Sequence, residues 1–238
     1  MKDKDIIEMN IADLIMERPI SFTIDGQRFL LYQPTLGKNY LISRLVDGLE
    51  IKKDILATNP YMEALRLCRS KKDIVCRILA LYSLKHKNDI QNEDKVLERK
   101  NFFFNRLDDK ELTQLLVLTF TWNDIEGYIK YLGLDKERAV RERVAKLKNK
   151  KGNGSISFGG KSTYGALIDF ACQRYGWSVN YVVWEVSYMN LQMLMADAIN
   201  TVYLSEDERK ELRMFDNNEI INGDDPLNSD KIRAIFSD

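Results

Sequence analysis

Apolar residues recur every three to four positions through most of this 238-residue chain, and one short stretch near its start alternates instead. That contrast sets the expected fold, because helices repeat near 3.6 residues and half-buried strands near two. Ile6, Ile7, Ile11, Leu14 and Ile15 predict a helix over 5–16, ended by Pro19. In PISFTIDGQRFLLY, Ile20, Phe22 and Ile24 alternate before Asp25-Gly26. An Asp-Gly pair between β-rich runs predicts a hairpin, here at 20–32. Thr35 is a candidate N-cap for a helix to about residue 48, with Leu41, Leu45, Val46 and Leu49 on its apolar face.

Beyond Pro60, a residue suited to a first helical turn, Met62, Leu65 and Cys68 and then Ile74, Ile78 and Leu81 predict two helices broken near Ser70. Helices follow over Asn92–Arg106, after Asp108 or Asp109 (with Leu112, Leu115, Leu116 and Thr119), and over Asn123–Leu132. Residues 136–151, KERAVRERVAKLKNKK, hold eight basic and two acidic residues around a thin seam of Ala139, Val140, Val144 and Leu147. They read as a solvated helix. A Gly/Ser-rich stretch then predicts a linker over 151–163.

Tyr164, Leu167, Ile168, Ala171, Cys172 and Tyr175 form a strong helical stripe closed by Gly176. Ser178 can cap a helix bearing Val182, Val183 and Val186, and Leu191, Leu194, Met195, Ala198, Ile199 and Val202 continue the template. Ser205-Glu-Asp-Glu opens a last short helix as a capping box. The expected organisation is mainly α. An N-terminal β-hairpin and helical body span 1–150, a smaller helical unit spans 164–215, and a poorly ordered acidic tail spans 216–238, with a short amphipathic element at Ile232–Phe236.

Candidate chemistry changes this picture little. GGKST at 159–163 suggests a phosphate-binding loop, but G-x-x-x-x-G-K-[ST] needs glycine at position 155, which is Ser155. The stretch follows a charged helix and no buried strand, so Ser162 or Thr163 reads as an N-cap instead. His86, the sole histidine, is read at a polar helix end and finds no obvious catalytic partners. Asp169 and Asp197 adjoin apolar faces and are read as buried partners of Arg or Tyr. Three cysteines without a CxxC argue against a disulfide framework or a zinc site. No catalytic, cofactor or metal site is assigned, and no run reaches the ~18–20 apolar residues that cross a bilayer. Basic and acidic residues number 36 each, but residues 152–238 carry a net charge of −6 and the remainder +6.

One segment, YGWSVNYVVWEVSYMNLQMLMADAI at 175–199, concentrates aromatic residues and methionines. Val182, Val183 and Val186 share one face, while Trp177, Tyr181, Trp184 and Tyr188 advance along another. Those rings, with Met189 and Met193, are either core packing or a partner-binding surface, since such residues anchor both.

The hairpin and its exit, FTIDGQRFLLYQPTLGKNYLISRLV, taken with that C-terminal segment, resemble tail assembly chaperones and related tail accessory proteins of long-tailed bacteriophages and prophages. The similarity covers about 22–46 and 164–200. It implies a non-enzymatic protein of the bacterial host cytoplasm. Its partners would be the tape measure protein, tail tube subunits and, through self-association, further copies of itself, with release before the virion is finished. The 164–215 segment would be the counterpart of the family's tube-recruiting extension, and the helical region 60–150 lies outside the family pattern. Two competing readings are a structural virion protein of the tail or head-completion kind and a nucleic-acid binder using the basic 136–151 helix.

Overall fold

The computed structural model describes residues 12–13, 15–121, 129–130, 134–150, 161–198 and 202–212. The expected helix at 5–16, helix at 123–132, glycine-rich stretch and acidic tail therefore fall largely or wholly outside the described residues. The protein is mainly α, with an N-terminal two-stranded antiparallel hairpin followed by a helical body.

Strands β1 (Ile20–Ile24) and β2 (Gln27–Leu31) pair with Phe22 opposite Phe29 and Ile24 opposite Gln27. Asp25 and Gly26 both take positive φ, 50° and 77°, as a two-residue turn matched to strand twist requires. The rings of Phe22 and Phe29 stack at 5.7 Å, and Phe103 meets both. The strand exit is tied down where the Tyr32 N–H donates to the Tyr82 carbonyl at 2.9 Å.

Thr35 caps α1 (Leu36–Val46), accepting from the Lys38 N–H, and a single 3₁₀ turn continues it to Leu49. Short α2 (Lys53–Thr58) leads to α3 (Pro60–Ser70), capped by Asn59 with Pro60 at its first position. Then come α4 (Lys72–Ser83), α5 (Lys87–Ile90), α6 (Glu93–Arg106) and α7 (Asp109–Thr121). Asp108 accepts from the Lys110 and Glu111 N–H groups while Glu111 accepts from the Asp108 N–H, a reciprocal cap. Helix α4 is the hub: Val75, Cys76 and Ile78 through Tyr82 are all buried, as expected of a helix enclosed on most sides. His86 stands at the start of α5, three residues past the end of α4.

On α1 the fully buried positions are Leu36, Lys38 and Ile42, while Leu41 and Leu45 are only half-buried. The apolar face read from Leu41 and Leu45 is thus a flank of this helix. Lys38 is 1% exposed, its Nζ donating to the Leu84 carbonyl at 2.7 Å and lying 5.8 Å from the Tyr32 ring centre.

Helices α9 (Thr163–Tyr175), α10 (Val179–Trp184) and α11 (Tyr188–Ala196) start at Ser162, Ser178 and Ser187, each with its hydroxyl accepting from the backbone N–H three residues on. Gly176 closes α9 with φ 68°, the left-handed conformation that glycine adopts cheaply. The helical template expected to run through Val202 stops at Ala196. Asp169 and Asp197 are exposed, correcting the expectation of buried partners; the Asp169 carboxylate accepts from Gln173 one turn on.

The chain divides into two compact units, 1–135 with 158–198, and 136–157 with 199–238. This differs from boundaries at 150 and 164. The reason is that α9–α11 share a core with the start of α1: Leu36 is buried among Leu167, Ala171, Val182, Val186 and Leu191. Backbone ties support it, with the Tyr188 N–H donating to the Pro34 carbonyl and Thr35 bridging to Ser187. The Glu17 carboxylate accepts from the Ser187 N–H and the Asn190 amide at the start of α11.

Helix α8 (Leu134–Lys150), which belongs to the second unit from Lys136 onward, carries the basic run, and α12 (Glu206–Glu211) of that unit opens with the capping box of Ser205 and Glu208. Lys148 donates to the Tyr203 carbonyl and to Glu208. Arg138 pairs with Glu142 and Arg141 with Glu137, so part of the positive charge on α8 is answered along the helix itself. That leaves less of it for phosphate groups.

Candidate partner-binding cleft

Within the first unit an open cleft of about 1000 Å³ lies between α1, α4, α6, α9 and α10. Its size is that of a roomy ligand site. Gly37 makes its floor possible. A β-carbon built there would stand 2.9 Å from the Trp184 ring, so only glycine lets the indole settle on the α1 backbone. Leu41 and Leu45 continue along the α1 side. Leu81 of α4 and Val96 of α6 form the facing wall, and Ile168 and Val183 close the end formed by α9 and α10.

Two exposed tyrosines stand at the mouth. Tyr40 and Tyr164 meet edge to face at 6.2 Å, and the Arg44 guanidinium lies 6.0 Å from the Tyr40 ring centre. Charge on the other wall is internally matched, since Arg77 and Glu93 pair at 2.7 Å. Lys87 lies 5.6 Å from the Trp184 ring centre and donates to Asn180, holding α5 to α10. The lining is thus mostly apolar and aromatic with a few charges at its margin, a surface suited to gripping another molecule.

The six residues singled out in sequence are not one surface. Trp184 lines the cleft. Trp177 and Tyr181 belong to an outer aromatic ladder: Tyr175 stacks on Trp177 at 4.8 Å, which meets Tyr181 edge-on at 5.3 Å. Tyr181 is 44% exposed. Tyr188 and Met193 are half-buried against the core, and Met189 is sealed within it, 3% exposed, so Met189 is a packing residue with no face for a partner. Burial, with Tyr164 adding to it, raises the Tyr188 phenol above its ordinary range and keeps it neutral.

Tyr164 and Ile168 read in the sequence only as members of a helical stripe, and Tyr40 and Arg44 were not read as site residues. A signal existed: Gly37, Tyr40 and Arg44 repeat at i, i+3 and i+7, a second stripe beside the buried one.

Other chemistry is sparse. Among the described residues no group of three or more His, Cys, Asp or Glu side chains converges as a metal cradle. Cys68 and Cys76 are buried, and burial pushes the Cys76 thiol up to about 12, far from the thiolate that reacts. Among the described residues no helix is long and apolar enough to cross a membrane.

Gly37→Ala tests the floor. The added methyl must displace the Trp184 indole, and unfolding stability is expected to fall by about 1–3 kcal/mol in denaturant titrations. An unchanged midpoint would mean that the indole is free to move aside. No protein-family model, curated protein or solved structure matches this chain.

Proposed function

We propose that this chain is a non-enzymatic tail assembly chaperone of a long-tailed phage or prophage, holding helical segments of the tape measure protein, tail tube subunits or both during tail morphogenesis. The observation that supports it best is the open apolar cleft framed by helices, with the Tyr40 and Tyr164 rings at its mouth. A chaperone for helix-rich, aggregation-prone clients needs such a groove and no reactive centre. The sequence resemblance supplies the biological setting.

The test is capture of a tagged copy from phage-producing cells, with the proteins that accompany it identified, alongside an assay of finished particles. The tape measure protein or the tail tube subunit is expected with the tagged chain in assembling cells, and the chain itself is expected to be missing from particles. Its recovery in particles would instead make it a structural virion component. The double substitution Tyr40→Ala with Tyr164→Ala is expected to lower stability by only about 1 kcal/mol. It should weaken partner affinity by about 2 kcal/mol or more. Capture undiminished by that variant would move the binding surface elsewhere.

A further inference from the structure

We infer that the occupant of this cleft is an amphipathic helix of a partner protein whose apolar stripe is flanked by a carboxylate that meets Arg44. The inference rests on the partner-binding reading and adds the chemistry that selects the partner. Three observations carry it.

The first is shape. Gly37 and Leu45 both line the cleft from α1, eight residues apart. At 1.5 Å per residue they are separated by about 12 Å, the length of about eight helical residues. A partner helix lying along that floor would present about three anchors at i, i+4 and i+7.

The second is backbone chemistry. The two-stranded sheet contributes no residue to the lining, which comes from helices and their ends. An extended segment in the cleft would bury its own N–H and C=O groups against side chains such as Leu41, Leu81 and Val183 without an edge to pair with. A helix has already satisfied those groups internally.

The third is charge. Arg77 and Glu93 neutralise each other on the far wall. Arg44 is exposed beside Tyr40, and among the described residues no carboxylate pairs with it. Among the described residues, Arg44 therefore gives the margin of the cleft a positive charge that no carboxylate answers, next to an aromatic lip. Rim charges of this kind choose between partners more than they hold them.

The test uses the full chain and two stapled 15-residue helical peptides. Both carry leucine at i, i+4 and i+7. One has a glutamate on each side of the stripe and the other a lysine on each side, so that either docking direction presents the charge. Fluorescence anisotropy is expected to show the glutamate peptide binding about five-fold tighter than the lysine peptide, the scale of an exposed ion pair. Arg44→Glu should reverse that order, and added salt should flatten it. Arg44 is exposed, so the variant's melting curve should match the parent's and serves as the folding control.

Failure of the glutamate peptide to bind, equal affinities, or a glutamate preference that survives Arg44→Glu would overturn the inference. So would a dimer in sedimentation that Tyr40→Ala with Tyr164→Ala dissolves, because the cleft would then take a second copy. Charge reversal without any tail protein captured from cells would leave the inference standing and remove the chaperone reading. Capture of tape measure protein undiminished by Arg44→Glu would do the opposite.

Discussion

Raising the pH from 6.5 to 9 is expected to stabilise the parent protein relative to its Lys38→Met variant by about 3 kcal/mol, which at this chain length is a change of roughly 6–12 °C in their difference in melting temperature. The cause is a buried amine. Burial alone holds the Lys38 ammonium down to about 7 from its ordinary 10.5. Its surroundings give it the Leu84 carbonyl and the Tyr32 ring, over which the Lys85 ammonium also lies at 5.9 Å. Among the described residues no carboxylate pairs with it.

The sign follows from proton counting. Between about pH 7 and 10.5 the unfolded chain binds a proton at Lys38 that the folded chain has shed, so unfolding becomes harder as pH rises. Below pH 7 both states are protonated and the whole penalty of burying the charge is present. Two pH units above the folded value, at about 1.4 kcal/mol per unit, give the expected difference. Opposing titrations are common to both proteins: Cys76, pushed up to about 12, takes stability away above the ordinary thiol range. Comparing parent with variant removes them. Methionine has a similar length and needs no proton, and replacing a buried charge by an apolar side chain is often neutral or stabilising. Lys38→Met should therefore melt above the parent at pH 6.5 and converge on it, or fall below, at pH 9. Parallel curves would show that the amine stays charged when folded.

Lys38 also marks where local reading of the sequence ends. The hairpin was legible because Asp25-Gly26 dictates its own turn. The starts of α1, α6, α9, α10 and α12 were legible because Thr35, Asn92, Ser162, Ser178 and Ser205 cap backbone groups within three residues. Nothing in LGKNY announces that its lysine is buried, since the carbonyl that receives it is 46 residues away. Gly37 shares a surface stripe with Tyr40 and Arg44, but nothing local says that an indole will pack on it; that ring, Trp184, lies far along the chain. The aromatic segment was recognisable as dense in anchors. Which rings pack and which face outward depended on α1 and α9 lying against it, and this sent Met189 inward and left Tyr181 at the surface. Short helices α2 and α5 were missed because four to six residues hold too little of a period to register.

The second large effect is expected at Glu63, whose side chain is fully buried beneath the turn that joins α1 to α2. Glu50 in that turn has φ 55°, an uncommon conformation for a side chain-bearing residue, and needs outside support. Glu63 supplies it, accepting from the Lys52 N–H at 2.7 Å and from Arg66 at 2.6 and 2.8 Å, while Arg66 also donates to the Glu50 carbonyl at 2.9 Å. Glu63→Ala would leave the part-buried Lys52 N–H and the Arg66 guanidinium without their carboxylate. A loss of about 3 kcal/mol is expected, at the lower end for a broken buried pair because Arg66 keeps some contact with water. Glu63→Gln preserves the shape and an acceptor and should lose less. Lys71→Ala, which removes a more exposed ion pair to Glu50 on the same turn, should cost under about 1 kcal/mol. Acid provides an independent check. Arg66 holds the Glu63 carboxyl below its ordinary range against the opposing push of burial, with the Lys52 N–H adding to the pull. Its contribution is therefore fully present above the unfolded value near 4.5 and is lost as pH falls through the lower folded value. Denaturant titrations of parent and Glu63→Ala from pH 7 to 3 should converge on acidification. A gap that does not narrow at all on acidification would assign the loss to an emptied cavity, with the carboxylate clasp contributing little.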